Sequence, residues 1–505
     1  MSQPEIIFGI ETELGITRDG AEDLDVVAES IDLVREAENG VRMRWDYSTE
    51  DPHVDARGFR VNELRQDYDE ADYREQDSNR PLSFAEIKSD LALTNGGRFY
   101  NDHAHPEYCT PECRTPEELV HHDRAGELIA MQCAEQLSRK RGATVRLYKN
   151  NTDFLGHSYG CHENYLLPRS LAWNRLAGAM TPFLVTRQIF TGAGKFAHEA
   201  EDQFLNPGFQ ISQRSDFFTV LQSVDTMQRR PIINTRDEPH ADAETYRRFH
   251  VIIGDANMSP FATWLKVGST ALALEAICRK PRAELPELKD PIHALTAISN
   301  DLKLNMPLGL SGTWGKATAI EIQRQFIDLA NDECDLSLPW KEEVLQAWAT
   351  ILDDLQSDPE NCSDRLDWVA KKQLIEAFCE EEKVAMDDPW VQSLDLEFHR
   401  LDQEEGLFYG MEDSGTMRWI PDASKTRAAM NHPPLETRAA IRGLLLSSYP
   451  DQVTNAQWDF VTLEVDNHVF KMDLTQLFNQ DLISELRATI EGCKTAAEFV
   501  AAMEA

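Results

Sequence analysis

Three stretches of this sequence predict an α+β fold. Residues 6–16 alternate with period two: Ile6, Phe8, Ile10, Leu14 and Ile16 fall on one face, and Gly9, Glu11, Glu13 and Gly15 on the other. That is the pattern of a strand with one face in a core and one open acidic face. Thr115-Pro116-Glu117-Glu118 is a capping box with proline at the first helical position, and it opens a helix that basic residues and Gly142 close near Arg141. From about residue 318 to residue 400 the pattern is mostly helical.

The remaining elements follow in chain order. Residues 22–39 predict a helix with Leu24, Val27, Ala28, Ile31 and Val34 on one stripe and Gly40 as its stop. Residues 42–80 carry Arg-Trp-Asp-Tyr at 44–47 and become densely charged after Arg60. They read as a long, mobile surface insertion with a short helix, or else as a plain solvated linker. Thr94-Asn95-Gly96-Gly97 is a turn before a short strand that ends near His103. Strands are expected at 144–149 and 160–167, a helix at 171–190, strands at 231–234 and 249–254, and a helix at 260–279. Thr437 begins a helix to about Ser447, and 457–465 reads as a strand. No internal repeat and no low-complexity tract is present.

Composition narrows the function classes. A formal charge of −37 over 505 residues repels polyanions, which argues against nucleic-acid binding. ATP stays open, because bound cations override the global field locally. There is no run of 18 apolar residues, so no membrane span is expected. Met-Ser-Gln-Pro-Glu has neither a basic nor an apolar leader region, and nine scattered cysteines suit reduced thiols, so the expected location is cytoplasmic.

Four constellations carry chemistry. Glu11 and Glu13 lie about 6–7 Å apart on one strand face, a pair that repels unless a hard cation such as magnesium joins it. Arg98, Tyr100 and Asp102 share the next candidate face, placing a phosphate-binding cation, a hydroxyl and a carboxylate in one line. Pro106 is expected to break or bulge that strand, which leaves the side of Glu107 open. His103, His105, Cys109 and Cys113 suggest zinc, but no second Cys or His pair follows at structural-zinc spacing. His162 in Cys-His-Glu-Asn is a possible metal or phosphate contact and equally a structural histidine. Gly192-Ala193-Gly194-Lys195 lacks the full phosphate-loop spacing and reads as a loop. Arginines 229, 230, 236, 247 and 248, with Arg214 upstream, form the densest basic cluster, a candidate anion site in so acidic a chain, or surface charge paired with neighbouring acids.

Together these motifs resemble the Pup ligase/depupylase family, relatives of glutamine synthetase and the carboxylate–amine ligases. The resemblance rests on Gly-Ile-Glu-Thr-Glu at 9–13, Asn-Gly-x-Arg-x-Tyr-x-Asp at 95–102, His-Pro-Glu-Tyr at 105–108 and His-Glu-Asn-Tyr at 162–165. It extends to Ile-Asn-Thr-Arg-Asp-Glu-Pro-His-Ala-Asp at 233–242, Ile-Gly-Asp-Ala-Asn at 253–257 and Pro-Pro-Leu-Glu-Thr-Arg at 433–438. The order holds over nearly the whole chain. One branch of the family ligates Pup to target lysines; the other removes Pup and deamidates its C-terminal glutamine. Asp102-His103-Ala104-His105-Pro106-Glu107 is similar to the depupylase branch, as are Trp45-Asp46-Tyr47 and Asp55-Ala56-Arg57-Gly58-Phe59 in the insertion. Beyond about residue 60 the insertion is longer and more charged than the family's loop.

The resemblance implies a glutamine-synthetase-like, curved, mostly antiparallel sheet backed by helices over 1–430, with a depupylase-type insertion at 42–85 and a small C-terminal domain at 431–505. It implies ATP and magnesium on the concave face. Glu11, Tyr100 and Glu107 match metal ligands, with Glu13 and His162 as further candidates. Arg98, Thr110, His240 and Trp458 are the nucleotide candidates, and Asp102 matches the catalytic aspartate. Arg214, Arg236, Arg247 and Arg248 are the candidates for binding Pup. The implied protein is a monomeric depupylase acting on pupylated proteins, with Asp102 as nucleophile or general base and Arg236 and His240 near the developing oxyanion. A Pup ligase and an inactive Pup-binding adaptor are the alternatives; the intact Asp102 and metal carboxylates argue against the adaptor.

Overall fold

The computed structural model describes residues 6–43, 45–46, 50–64, 78–153, 156–197, 208–225, 230–386, 388–476 and 479–505. Among these, nine strands form the main sheet: β1 (Ile7–Glu13), β2 (Gly40–Arg42), β3 (Leu91–Leu93), β4 (Arg98–Asp102), β5 (His105–Cys109), β6 (Cys161–Pro168), β7 (Val220–Ser223), β8 (Pro231–Asn234) and β9 (Tyr246–Val251). Their spatial order is β7-β8-β9-β6-β1-β5-β4-β3-β2. Only the β7–β8 pair is parallel, so the sheet is mostly antiparallel, as expected.

One face of the sheet is apolar and packs on helices. Phe8 and Ile10 of β1, Tyr165 and Leu167 of β6, and Phe249 and Val251 of β9 join one cluster with the helices Trp173–Thr186 and Pro260–Arg279. Each such side chain contributes about 1.5–3 kcal/mol when fully buried. Phe99 and Tyr108 pack instead on Ala125 and Ile129 of the helix Pro116–Arg141. That helix begins with the expected capping box at Thr115 and ends at Gly142 in a left-handed conformation. Gly126 allows its close approach, since a Cβ there would lie 2.2 Å from the Tyr108 ring. The helix Pro260–Arg279 is long and apolar enough to cross a membrane by length and composition, but 89% of its apolar window is buried inside the fold.

Several boundaries differ from expectation, each for a local reason. The 6–16 strand leaves the sheet at Leu14, whose N–H donates to Pro106 O (2.9 Å). Gly15–Arg18 then pairs with Val145–Tyr148 in a separate two-stranded sheet. The 22–39 helix shrinks to Val26–Val34 because Asp25 caps it, and Gly40 opens β2 rather than ending the helix. Pro106 does not break β5. Its carbonyl still accepts from Leu14 N–H (2.9 Å), and the N–H it lacks falls at the end of the β1 pairing, where β1 departs, so the ladder is only shortened there.

The insertion is not simply a mobile surface segment in its described parts. Met43 and Trp45 are buried. Val54–Asp55 and Phe59–Arg60 form a small hairpin that docks on the 235–237 backbone, with Ala56 N–H donating to Thr235 O (2.8 Å) and Asp237 N–H to Val54 O (3.1 Å). Asp55, fully buried, accepts from Thr235 Oγ1 (2.7 Å) and Arg57. The densest charge run, 65–77, and Arg229 lie outside the described residues. The short helix, Phe84–Lys88, follows it. In the C-terminal part, the helix Arg438–Ser448, the strands Val453–Ala456, Phe460–Val465 and His468–Asp473, and two further helices share an apolar cluster with Met43 and Ala92 at the sheet edge.

Candidate active site

The pleat places every second side chain on the open face, and the pairing register brings strands together there. Glu11 lies opposite His162 and Cys109, Glu13 opposite Glu107, Tyr100 opposite Glu107, Asp102 opposite His105, and Asn164 opposite His250. The result is two adjacent groups of candidate ligands, one of carboxylates and one of a carboxylate with two imidazoles. In one, ligand atoms of Glu13, Asp102 and Glu107 all lie within 4.8 Å of one another; Glu11, His162 and His250 form the other on the same criterion.

The first group is short of positive charge. Burial, then the Asp102, Glu11 and Glu13 carboxylates, push Glu107 well above the ordinary carboxylate range. The Tyr100 hydroxyl donates to Glu107 Oε2 (2.9 Å), and burial holds that phenol protonated. A carboxylate set that forces one member to keep its proton, beside a neutral phenol oxygen, is a donor set that fits a hard dication such as magnesium. In the second group Glu11 accepts from Asn164 Nδ2 (2.9 Å) and contacts His162 Nδ1 (3.3 Å). Burial, then the charge of Arg248, keep His250 neutral. Neither of its ring nitrogens has a hydrogen-bond partner, and Nε2 lies 3.8 Å from Glu11 Oε2, so the imidazole has a nitrogen available to a ligand bound there.

Asp102 ends β4 at the rim of this cluster. Burial opposes its charge, but the Lys88 ammonium, then His103 and Arg98, hold it well below the ordinary carboxylate range. Lys88 Nζ pairs with Asp102 Oδ1, and His103 Nε2 is 4.0 Å from Oδ2.

Two contiguous hollows open on this face. The larger, of about 770 Å³, is lined by Lys88, Tyr100, Asp102, Glu107, Arg236 and Arg248, among others. The other runs between β1 and the C-terminal part, past Gly9, Thr110, Pro239, Arg438 and Trp458. Glu11, Cys109, His240, Arg248 and Trp458 border both. Thr110 Oγ1 accepts from Ile10 N (3.1 Å). His240, half-buried, is driven to a pKa of about 3 by burial and then by Arg248 and Arg438, so it is a neutral imidazole. The Trp458 ring lies edge-on to Trp45 (5.7 Å) and under Arg442 (4.9 Å).

Of the predicted arginines, the fold gathers some and separates others. Arg236 and Arg248 line the larger hollow. Arg236 Nε donates to Val224 O (3.1 Å), and Arg248 lies 3.5 Å from Glu238. Arg247 does not join them. It faces the helices, buried over the Trp173 ring (5.8 Å), because adjacent residues of a strand point to opposite faces. Arg214 is also buried away from the hollow, its guanidinium bonded to Ser158 Oγ (3.0 Å), Ile252 O and Gly254 O (3.0 Å), and burial, then Arg230, lower it to about 10. Arg98, expected as a phosphate cation, is paired with buried Asp90 and sandwiched between Trp45 and Tyr100, each ring 3.8 Å away.

Sequence reasoning missed His250, Asn164, Lys88 and Asp90. Period two would have found the first two, at i+2 from Arg248 and His162. Nothing local to Lys88 or Asp90 marks them, because their partners come from another element.

A family model described as Pup-ligase protein matches residues 6–462. The chain is 38% identical to a depupylase of Acidothermus cellulolyticus over 98% of its own length and 99% of that protein. It is 40% identical to a Pup–protein ligase of Acidimicrobium ferrooxidans over 75% of its length and 84% of that protein. Among solved structures, the Pup ligase PafA in complex with the prokaryotic ubiquitin-like protein Pup superposes with a TM-score of 0.77 at 30% identity, covering 97% of this chain and 93% of that one. PafA in complex with ADP gives 0.73 at 31% identity, covering 86% and 96%.

Proposed function

This chain belongs to the Pup-ligase protein family, and from that premise we propose that it is an ATP- and magnesium-dependent depupylase. It hydrolyses the isopeptide bond between the side chain of Pup's C-terminal glutamate and a target lysine, and it deamidates a C-terminal glutamine of Pup where that form exists. The observation that supports the hydrolase reading is the extent of the sequence likeness to a depupylase. Alignment with the depupylase takes in 98% of the chain, and with the ligase 75%. We place the enzyme in the cytoplasm as a monomer.

In this reading Glu13, Glu107, Tyr100, Glu11 and His162 hold magnesium, and Arg98, Thr110, His240 and Trp458 hold the nucleotide. Magnesium bound there would supply the positive charge that polarises the scissile carbonyl. The protein's own residues do the rest. Asp102, held ionised by Lys88, His103 and Arg98, is available as the nucleophile on the carbonyl carbon or as the base that activates a water. On the nucleophilic route its oxygen forms an anhydride with the former amide carbonyl of Pup as the C–N bond breaks and the lysine nitrogen takes a proton from solvent, which hydrolysis of the anhydride later returns. Water then splits the anhydride and restores the Asp102 carboxylate. Among the described residues, Arg236 and Arg248 are the predicted Pup contacts that line this hollow, placed to hold acidic groups of the partner.

The test is incubation with a pupylated model protein, with and without ATP, followed by mass spectrometry. Free Pup and unmodified lysine are expected with ATP. Asp102→Asn should cut the rate by at least about a hundredfold, the low end for losing acid–base or nucleophilic help. Formation of new conjugates from free Pup, with no cleavage, would assign the ligase reaction instead.

A further inference from the structure

We propose that Lys88 is a positioning residue for the reaction: its ammonium, ion-paired to one Asp102 oxygen, fixes the orientation of the carboxylate and offsets the charge of the neighbouring carboxylates. The inference rests on the reading of Asp102 as the reacting carboxylate.

Three observations carry it. First, Lys88 Nζ pairs with Asp102 Oδ1 from above the sheet, at the rim of the hollow that both residues line. Second, Asp102 stands in a group with Glu13 and Glu107 whose ligand atoms lie within 4.8 Å. Like charges at that spacing make an ionised Asp102 costly and leave its side chain with no partner among them, and the ion pair with Lys88 offsets that cost and ties one carboxylate oxygen to a fixed point. With Oδ1 taken, Oδ2 is the oxygen left for the substrate.

Third, the element that presents Lys88 is anchored. The helix Phe84–Lys88 starts with a capping box, Ser83 with Glu86, and ends at Ser89 in a left-handed conformation whose Oγ bonds Glu86 O (2.8 Å). Ile87 is buried with Val27, Ile31 and Ala104, and its carbonyl accepts from Asn101 Nδ2 (3.2 Å) on the strand beside Asp102. The Lys88 ammonium lies over the Tyr100 ring, with Nζ 5.5 Å from its centroid. A five-residue helix tied at both ends and below therefore gives the lysine one approach. A solvated surface lysine would need none of this, and it would not be only 14% exposed.

The experiment uses the full-length enzyme with a pupylated model substrate. Lys88→Met keeps an unbranched stem and removes the charge. It should lower kcat about 10- to 100-fold, the cost of a misplaced reacting group, with KM and nucleotide affinity within about twofold of the parent. Lys88→Arg keeps a cation and should recover part of the lost kcat. A Lys88→Met enzyme with the parental kcat, or one whose loss is confined to KM, overturns the proposal. So does a Lys88→Arg enzyme that recovers nothing, and this second variant decides the matter if Lys88→Met does not fold. Asp102→Asn run alongside separates the two failures. An active Asp102→Asn enzyme removes the catalytic reading itself, whereas an inactive one beside a fully active Lys88→Met enzyme removes only the role of Lys88.

Discussion

Glu112 is where the sheet face meets the C-terminal part, and its removal should be felt in both stability and nucleotide binding. Its carboxylate accepts from Arg438 Nε (2.7 Å) and from Arg442, while its carbonyl accepts from Thr437 Oγ1 (2.9 Å). Arg438 continues to His240 O (2.6 Å) and Arg442 to Trp458 O (3.2 Å), so one carboxylate organises the wall of the hollow that borders Thr110. Burial opposes its charge, yet the two arginines pull Glu112 from 4.5 to about 2. That fall corresponds to about 3 kcal/mol of stability. Because the folded value lies below the unfolded one, the contribution is complete above pH 4.5 and drains away as pH falls towards 2.

Glu112→Gln keeps the shape and removes the charge. For 505 residues melting as one unit the unfolding entropy is about 1 kcal/mol/K, so the midpoint should drop by about 3 °C at pH 7. Thermal melts of parent and variant at pH 7, 5 and 3 check this: the gap should hold to pH 5 and shrink to under about half by pH 3. ATP affinity by calorimetry should fall as the His240–Trp458 wall loosens. A gap below about 1 °C at pH 7, or one that is the same at pH 3, would refute the account of Glu112 as an ionised clamp.

Other perturbations test other parts of the site. Glu11→Ala should weaken magnesium-dependent nucleotide binding about tenfold or more, since a hard dication loses a carboxylate oxygen; unchanged affinity by calorimetry would move the metal elsewhere. Arg248→Glu should weaken Pup binding in a fluorescence titration and spare the fold, while Arg247→Glu should instead lower the melting temperature, because it buries an acid among the Trp173 contacts. Equal behaviour of the two variants would contradict the opposite facing of the pair. Asp55→Ala removes the acceptor of Thr235 Oγ1 and should free the docked hairpin, speeding proteolysis within 50–64 about five- to tenfold for a loss of about 1 kcal/mol or more. Cleavage at the parental rate would show that other contacts hold the segment.

How much of this was legible in the sequence differs from residue to residue. The alternation over 6–16 put Glu11 and Glu13 on one open face, and the structure keeps them there, because strand pleat depends only on local backbone geometry. The Thr115 capping box located a 26-residue helix for the same reason: caps act within one turn. The same local rule, applied to 246–251, separates Arg247 from Arg248 and adds His250 to the open face; treating the arginines as a cluster in sequence overlooked it.

What the sequence determined, then, was the type of each long element and which residues share a face, since both follow from bonds and clashes between near neighbours. Only the tertiary structure decided the rest. The register of β1 between β5 and β6 splits Glu11 and Glu13 between two separate groups. The departure of β1 at Leu14 lets Pro106 stay in its strand. Asp90 takes up Arg98, the insertion docks on Thr235, and Lys88 reaches Asp102. Each of these joins groups whose approach is set by how helices and strands pack around a shared core, and the energy that selects that packing belongs to no single stretch of chain.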